Sequence, residues 1–402
     1  MDPAAMHAQD TLIRGARVID GSGNPWFYAD VVLSGGKISA IAPPGRIDVT
    51  SVAHVVDADG QVVCPGFIDP HVHGAAGADF LTADEAAARR IARAHARYGT
   101  TALFATVRSA PLGMMERAAE RLAGVIADGG SGIAGIHLEG PFLNPSRAGI
   151  HPPEHLRPPS AADLERLLDA AAGAAVIVTL APELPGAPGL IGTVRARGGV
   201  PALGHSDADY AAARAAFDAG ARYVTHLFNA MSGTHHRAPG LAAAALSDDR
   251  VSAELIADGV HVHPEIAKIA LKLKGGAGIV LVTDCMQALD SAAAEFTVGG
   301  RRVSVRNGAP AADDGTLCGS VLTMSGALRN VGRWTGGAPE RVAALAAEGA
   351  ARALGLGGRK GALAPGMDAD IVIFDEGYDV KATVIGGEVA LTSYPSSKIT
   401  IS

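Results

Sequence analysis

This sequence of 402 residues has few aromatic residues and few cysteines, and its basic residues do not outnumber its acidic residues. Phe, Trp and Tyr together make up 4% of it, so stacking of bases or sugars on aromatic rings is not expected to dominate binding. Lys and Arg number 34 against 41 Asp and Glu, a formal net charge of −7. This balance excludes the general basic surface of a nucleic-acid-binding protein but not a local phosphate pocket.

The cysteines and the apolar runs indicate the cellular compartment in which the protein is expected. The sequence has three cysteines, Cys64, Cys285 and Cys318. Because the number is odd and no two are closely spaced, a disulfide framework is not expected. The opening MDPAAMHAQD lacks the apolar core of a secretory signal. The longest uncharged apolar stretch, residues 170–182, is too short to cross a bilayer. We therefore expect a cytoplasmic protein without a membrane or nucleic-acid partner.

Apolar residues are abundant, at 48% of the chain, which is ample for a large core. Both ends of the chain alternate apolar and polar residues between turn signals, as in ADVVLSGGKISAIA and DADIVIFD. This pattern predicts one small β-sandwich domain built from residues 1–64 and 359–402.

The middle of the chain, residues 65–358, follows a different pattern. Roughly eight short apolar runs alternate with Ala-rich amphipathic segments, and helix starts are expected at Thr82, Ser160 and Ser206. Repeated strand-then-helix units favour an α/β fold with a (β/α)8 TIM-like barrel, and a doubly wound open sheet is the alternative. A β insert is expected near residues 295–318.

The segment DPHVH, at the end of the first predicted barrel strand, brings two histidines together. Alternate residues of an extended segment share a face, so His71 and His73 are expected to lie side by side. Two imidazoles in this position form part of a divalent-metal site. Taken alone, the pair is equally compatible with two partly exposed loop histidines.

Other polar residues follow the ends of the other predicted strands, where barrel enzymes carry their active sites. With the first pair, the set is His71, His73, Glu139, His205, His226, His261 and Asp284. Core or surface histidines have no reason to follow strand ends, so the set predicts a metal-dependent hydrolase site. Imidazole and carboxylate ligands suit Zn²⁺, the first expectation, and also Fe²⁺, Co²⁺ or Cd²⁺.

Asp284 is the residue expected to move protons. A carboxylate beside a water acidified by a metal ion can accept its proton and pass it to a leaving amine. Its alternative roles are a helix N-cap or a carboxylate outside the ligand set. His137 shares a face with Glu139 and is expected to pack behind the site, and Cys285 is expected to pack as well.

Several motifs carry a family resemblance. PGFIDPHVHG after a β-rich start is similar to the amidohydrolase superfamily. The segments IHLEGPFLNPSRAGIHPPE, LGHS, THLFNAM, HHRAPGL, LIADGVHV, LVTDCM and GTLCGS resemble the N-acetylglucosamine-6-phosphate deacetylase family more specifically. With the closing GALAPGMDADIVIFD, the resemblance extends from about Pro65 to Asp375 and implies a metal-dependent hydrolase barrel.

The resemblance also implies roles for individual residues. Glu139, His205 and His226 match metal ligands, Asp284 matches the catalytic acid/base, and His151 matches a histidine that contacts the N-acetyl carbonyl. The matches to sugar-phosphate contacts are the backbone amides of Asn229 and Ala230, together with His261 and Arg237. The arginine serves the phosphate site of the neighbouring subunit in the family, so a homodimer is implied.

Some family members hold one ion and others two. His71 and His73 make this chain similar to the two-ion branch, with Glu139 as the expected bridge. The fourth predicted strand, AAVIVTLAPE, has no lysine, which argues against hydantoinases and dihydroorotases, whose carbamylated lysine bridges the metals. Cys318 stands where the family more often has alanine, and little effect is expected from it.

The implied reaction is hydrolysis of N-acetylglucosamine 6-phosphate to glucosamine 6-phosphate and acetate, a step of amino-sugar metabolism. Alternative substrates are the galactosamine epimer and an N-acylated amino acid. A non-enzymatic carbohydrate sensor built on an inactive barrel is a further alternative, although such a protein would be expected to have lost ligands that are all present here.

Overall fold

The computed structural model describes residues 10–293, 295–306, 308–394 and 399–401. Within these residues the chain divides into two compact units. The described parts of Met1–Ile68, His95–Ala102 and Met324–Ser402 form the first unit, and Asp69–Ala94 and Leu103–Thr323 form the second.

Both ends of the chain contribute to one β-rich region in the first unit, as the sequence predicts. Its strands are β1 (Thr11–Val18), β2 (Phe27–Ser34), β3 (Lys37–Ala42), β4 (His54–Asp57), β5 (Val62–Pro65), β19 (Ile371–Phe374), β20 (Val380–Ile385), β21 (Glu388–Thr392) and β22 (Ile399–Ile401). They form a nine-stranded sheet in the order β21-β20-β19-β5-β1-β2-β3, and β4 pairs with β1 and β22. The antiparallel β5–β19 ladder places Pro65 opposite Ile371 and so joins the two ends of the chain.

One apolar cluster stabilises this region. It includes Ile13, Val31, Val63, Ile371 and Val384, all of them fully buried. Removing this much apolar surface from water is the main force that holds together segments from opposite ends of the sequence.

Three helices follow the barrel in the sequence: α8 (Met324–Thr335), α9 (Pro339–Ala346) and α10 (Glu348–Ala353). The sequence assigned residues up to 358 to the barrel, whereas these helices belong to the first unit. Arg329 of α8 donates to the Gly377 carbonyl at 2.7 Å and to Asp379 at 2.6 Å. Such contacts with the C-terminal segment are not visible in the local sequence pattern.

The second unit contains most of an eight-stranded parallel sheet that curls into a nearly closed barrel, which confirms the predicted fold. Its strands are β6 (Phe67–Val72), β9 (Thr100–Arg108), β10 (Ile133–Glu139), β11 (Ala175–Leu180), β12 (Val200–Leu203), β13 (Tyr223–Val224), β14 (Ser252–Ile256) and β15 (Ile279–Val282). They are neighbours in sequence order from β6 to β15. Nearly every residue in these strands is buried, as expected for a parallel sheet covered on both faces.

Helices alternate with the barrel strands. They are α1 (Glu85–Ala96), α2 (Leu112–Ala127), α3 (Ala161–Ala170), α4 (Ala187–Ala196), α5 (Tyr210–Asp218), α6 (Leu241–Ser247) and α7 (Pro264–Gly278). Short 3-10 helices lie at Val49–Ser51, Pro145–Arg147 and Pro153–His155. In the described part of the chain, no helix combines the length and the apolar character needed to cross a membrane.

Of the three predicted helix starts, one is confirmed and two are wrong. Ser160 caps α3, because its hydroxyl accepts from Asp163 N–H at 3.2 Å, as predicted. The starts at Thr82 and Ser206 were wrong: Asp84 accepts from Ala87 N–H at 2.7 Å, and Asp209 caps α5. The Ser206 hydroxyl instead donates to Glu183 at 2.7 Å.

Side-chain and loop contacts join the first and last barrel strands. Asp284 N–H donates to the His71 carbonyl and His73 N–H to the Cys285 carbonyl, both at 2.9 Å. Deeper in the barrel, the buried Asp69 carboxylate accepts from the Thr283 hydroxyl at 2.6 Å. These bonds hold together the ends of β6 and β15, where His71, His73 and Asp284 lie.

A three-stranded antiparallel sheet follows β15, as predicted for the insert. It consists of β16 (Glu295–Val298), β17 (Arg301–Arg306) and β18 (Ala309–Ala312), and a short hairpin of β7 (Gly74–Ala75) and β8 (Ala78–Asp79) follows β6. Val298, Val303 and Cys318 pack with Met286 and Ile150 in one apolar cluster. The insert thus supports Met286 and Ile150, which also line the cavity described next.

Candidate active site

A cavity of about 380 Å³ opens at the carboxyl ends of the barrel strands. It is lined by residues at the carboxyl ends of seven barrel strands or in the loops that follow them, and by the segment after the insert. The polar lining residues are His73, Arg108, Glu139, Ser146, Arg147, His151, His205, His226, Asn229, His261, Asp284 and Thr316. Most of the residues predicted from strand ends therefore meet in one cavity.

Glu139, the last residue of β10, is the centre of the cluster. Its Oε1 lies 3.1 Å from His205 Nε2 and 3.3 Å from His226 Nε2. Its Oε2 lies 3.1 Å from His151 Nε2 and 3.3 Å from His73 Nε2. The carboxylate is 3% exposed, so it is compensated by imidazoles rather than by water.

The first-strand histidines face Glu139 and Asp284 together. Nε2 of His71 and Nε2 of His73 are 3.3 Å apart. Each lies 3.3–3.4 Å from Asp284 Oδ1. Both carboxylates therefore lie within 3.4 Å of both histidines, so these four side chains could contribute ligand atoms to divalent ions.

The donor set fits divalent cations. Several groups of buried side chains bring ligand atoms within 4.8 Å of one another, among them His71, His73 and Asp284, and Glu139, His151 and His205. Nε2 of His205 and Nε2 of His226 approach to 3.0 Å, a separation at which a shared cation is a natural partner for both lone pairs. Four imidazoles and two carboxylates are typical ligands of Zn²⁺ and similar ions.

The charges of the cluster also point to a cation. Although burial opposes a charged imidazole, the carboxylates around it, Asp284 first, raise the pKa of His71 to about 10. Burial opposes charge on His73 too, but hydrogen bonds to Asp284 and Glu139 raise its pKa to about 9. Buried carboxylates need compensation, by protons or by metal ions.

Three of these residues have left-handed backbone conformations: His205 with φ +48°, His226 with φ +28° and Asp284 with φ +49°. Non-glycine residues seldom adopt such angles, which cost of order 1–3 kcal/mol each and cluster at functional sites. Because each residue lies two positions after the end of a barrel strand, the turn directs its side chain towards the centre of the barrel mouth.

His151 lies in the β10–α3 connection and is held in one tautomer. Ser109 N–H donates to its Nδ1 at 3.2 Å, so the ring proton is on Nε2, which faces Glu139 and the cavity. Burial lowers the pKa of His151 to about 4, which keeps the ring neutral. The side chain is therefore a neutral hydrogen-bond donor at the cavity wall.

Three of the residues matched to phosphate contacts, Asn229, Ala230 and His261, also line the cavity. Asn229 N–H already donates to the His226 carbonyl at 2.9 Å, whereas Ala230 N–H has no hydrogen-bond acceptor among the described residues. His261 Nδ1 lies 2.6 Å from Asp258. Burial opposes charge on His261, but the hydrogen bond to Asp258 raises its pKa.

Arg237 does not join the other candidates. It is exposed, in the segment between β13 and α6, and is not among the residues lining the cavity. His137 is buried edge-on against His71, with ring centroids 4.5 Å apart, and its Nε2 lies 2.7 Å from the Thr179 hydroxyl. Cys285 is buried, and burial raises the pKa of its thiol.

Sequence reasoning missed three residues beside the cluster. Asp69 accepts from Thr283, Glu254 lies 2.9 Å from His71 Nδ1, and Arg108 lines the cavity while paired with Asp79. Glu254 left a signal in the sequence, because it is the charged residue of a strand that reads as buried, SAELI. Arg108 likewise ends the apolar strand TTALFATVR.

Comparisons with known proteins agree with this geometry. The sequence profile of the Amidohydrolase family matches residues 62–390. The chain is 36% identical over 374 residues to an N-acetylglucosamine-6-phosphate deacetylase of Bacillus subtilis, covering 92% of this chain and 94% of that protein. It is 37% identical over 360 residues to an N-acetylgalactosamine-6-phosphate deacetylase of Escherichia coli O157:H7, covering 89% and 93%.

Solved structures are similar as well. A mutant N-acetyl-D-glucosamine-6-phosphate deacetylase of Mycobacterium smegmatis, in complex with N-acetyl-D-glucosamine 6-phosphate, superposes with a TM-score of 0.88 at 32% identity, covering 96% of this chain and 100% of that one. The N-acetylglucosamine-6-phosphate deacetylase of Pasteurella multocida gives a TM-score of 0.90 at 28% identity, covering 94% and 99%.

Proposed function

Because the chain belongs to the amidohydrolase family, we propose that it hydrolyses the N-acetyl group of N-acetylglucosamine 6-phosphate, giving glucosamine 6-phosphate and acetate. The observation that carries the proposal is the convergence of four imidazoles with Glu139 and Asp284 at the mouth of the barrel. Relatives named for this reaction, matched over 94% and 84% of their own lengths, support it.

Divalent ions are the proposed cofactor, with one or two per subunit and Zn²⁺ the first choice over Fe²⁺, Co²⁺ or Cd²⁺. The residues that would hold them are His71, His73, Glu139, His205, His226 and Asp284. A bound ion of this kind supplies Lewis acidity, which lowers the pKa of water and polarises a carbonyl group.

The protein's own groups would position and protonate the substrate. Asp284 Oδ1 adjoins the ligand cluster, where it can accept a proton from the attacking water and return it to the amine nitrogen as the amide C–N bond breaks. His151 presents its Nε2–H to the same region and would donate to the acetyl oxygen as negative charge develops there. Both groups are buried, so their hydrogen bonds compete little with water.

The phosphate is proposed to bind where Ala230 and His261 line the cavity. Ala230 N–H offers a backbone donor, and the raised pKa of His261 favours a charged imidazole there. The Asn229 amide is already used within its turn, so we assign its contribution to positioning Ala230 rather than to a direct backbone contact.

A homodimer with Arg237 completing the neighbouring phosphate site is part of the proposal. Supporting it, α7 exposes Ile266, Ile269 and Leu273, which are 41%, 51% and 59% accessible and share one helical face by their spacing. An apolar stripe of this kind is typical of a protein interface. A cytoplasmic location is proposed as well, consistent with three buried free thiols.

The galactosamine epimer is the second candidate substrate, favoured by the 37% identity to the Escherichia coli N-acetylgalactosamine-6-phosphate deacetylase. One axial hydroxyl distinguishes the two sugars, and a single side chain can read it. N-acylated amino acids fit less well, since they lack the phosphate for which Ala230 and His261 are suited.

The direct test is acetate release by protein stripped with a chelator and reloaded with Zn²⁺. The two sugar phosphates and unphosphorylated N-acetylglucosamine should be compared in parallel. We expect fast release from N-acetylglucosamine 6-phosphate, little from its epimer and very little from the unphosphorylated sugar. Equal rates with and without phosphate would contradict the proposed phosphate site, and a faster epimer would select the second candidate.

Replacing Arg237 by Ala should raise KM for the phosphorylated sugar by roughly 10–100-fold, the effect of losing a hydrogen bond to a charged group worth about 1.5–3 kcal/mol. The kcat value should change much less, because the acetyl end is untouched. Steady-state kinetics measure both. Arg306→Ala, an exposed arginine paired with Asp313 on the insert, is the matched control. An unchanged KM in R237A would remove Arg237 from the site.

A further inference from the structure

Glu254 is a buried carboxylate behind the metal-binding cluster that the proposed reaction leaves without a role. It lies in β14 and is 0% exposed. Its Oε2 accepts a hydrogen bond from His226 N–H at 2.9 Å and lies 2.9 Å from His71 Nδ1. Burying a charge is costly unless partners compensate it, so its partners show what it does.

Those two partners come from different strands. His71 belongs to β6, while His226 follows β13, and a third bond runs from Leu227 N–H to the Glu254 carbonyl at 2.9 Å. Glu254 thus holds the left-handed turn at His226 through the backbone and orients His71 through its ring. One oxygen atom thereby contacts two histidines that reach the cluster from different strands.

The contact with His71 also fixes the proton on that ring. A carboxylate cannot donate, so Nδ1 must carry the hydrogen that lies between Nδ1 and Oε2. In the neutral ring, which is the form that binds a metal ion, Nε2 then carries the lone pair and faces His73, Glu139 and Asp284. A carboxylate that accepts the Nδ1–H hydrogen bond also makes the Nε2 lone pair a stronger ligand for a metal ion.

The other histidines of the cluster lack such support. His205 Nδ1 lies 2.8 Å from the Arg147 carbonyl, a neutral partner. Nδ1 of His73 and Nδ1 of His226 have no hydrogen-bond partner among the described residues. Among these four histidines, His71 is therefore the one whose Nδ1 contacts a charged side chain. The affinity of the ion bound by His71 should depend most strongly on Glu254.

We propose that Glu254 is a positioning residue that sets the tautomer and donor strength of His71, and so determines how tightly the ion at His71 and His73 is held relative to the ion at Glu139, His205 and His226. The inference rests on the proposed function in one respect, that the cluster binds divalent ions. It requires no particular substrate.

The test is Glu254→Gln, which keeps the shape and an oxygen acceptor but removes the charge. Chelator-stripped protein is titrated with Zn²⁺ by calorimetry, and bound ions per subunit are counted by elemental analysis. Wild-type protein should bind two ions. In the variant one ion should bind about 10–100-fold more weakly, the usual effect of losing such a partner, while the other changes only a few-fold.

Asp248→Asn is the matched control. Asp248 is a buried carboxylate that precedes the same strand at its opposite end, where it accepts from Arg250 and Arg214. This control should lose stability but keep both ions with wild-type affinity. If Glu254→Gln does not fold, Glu254→Asp tests the same point, because it keeps the charge but withdraws the oxygen, and one ion should again be selectively weakened.

Two ions bound with unchanged affinities in the Glu254 variant that folds would overturn the proposal, and so would a single ion in the wild-type protein. Because the titration contains no substrate, its outcome is independent of the acetate assay. Selective weakening of one ion in a protein that releases no acetate would retain the role of Glu254 and reject the proposed reaction. Unchanged ion affinities in the variant, together with acetate release by the wild-type protein, would reject the role of Glu254 and retain the proposed reaction.

Discussion

Asp284→Asn is expected to lower kcat for acetate release by about 10²–10⁴-fold, the range attributed to a positioned acid/base. Asparagine occupies nearly the same volume, so the backbone bonds from Asp284 N–H to His71 and from Ser320 N–H to the Asp284 carbonyl should remain. What is lost is the group that accepts a proton from water and returns it to the amine. Steady-state and single-turnover kinetics with N-acetylglucosamine 6-phosphate measure this loss directly.

The metal content of this variant separates proton transfer from ligand loss. Asp284 Oδ1 is also 3.3–3.4 Å from the two first-strand histidines, so one ion is expected to weaken while the ion at Glu139, His205 and His226 stays. Cys285→Ala, a change at the adjacent buried thiol, should keep both the rate and the ions. A wild-type rate in Asp284→Asn would exclude the acid/base assignment.

The strand ends explain why much of this site was predictable from sequence. A parallel barrel sends the carboxyl end of every strand to one face, so residues such as His71, Glu139 and Asp284 could be grouped without knowing any distance. The helix start at Ser160 followed from a similarly local rule. The same local rule was wrong at Thr82 and Ser206, where the nearby Asp84 and Asp209 cap the helices instead.

The remaining features depend on contacts between distant segments. Ser206 was expected to cap α5, but its hydroxyl is taken by Glu183, and the cap falls to Asp209. The amide of Asn229 is used by its own turn, which a motif cannot reveal. Glu254 was overlooked because the role of a charged residue on a buried strand can be inferred only once its contact with His71 is known.

Glu139→Gln should have the broadest effect of any single change in the cluster. The carboxylate lies within 3.4 Å of imidazole nitrogens from His71, His73, His151, His205 and His226. Burial opposes the charge, but these histidines hold the pKa of Glu139 well below its usual range, which favours the charged carboxylate. Glutamine removes the charge that both groups of ligands share.

We therefore expect Glu139→Gln to weaken both ions, by more than the 10–100-fold typical of a partner outside the ligand set, and to reduce acetate release to background. Thermal unfolding gives a readout that needs no substrate. An ion at 100 times its dissociation constant stabilises the folded state by about 2.7 kcal/mol, so adding Zn²⁺ should raise the Tm of the wild-type protein but not of the variant.

Asp163→Asn is the control. Asp163 is a buried carboxylate on α3 that pairs with Arg157, and its variant should keep the wild-type response to Zn²⁺. A variant at Glu139 whose Tm still rises with Zn²⁺ as in wild type would show that the ions do not depend on the carboxylate, and the bridging role would have to be abandoned.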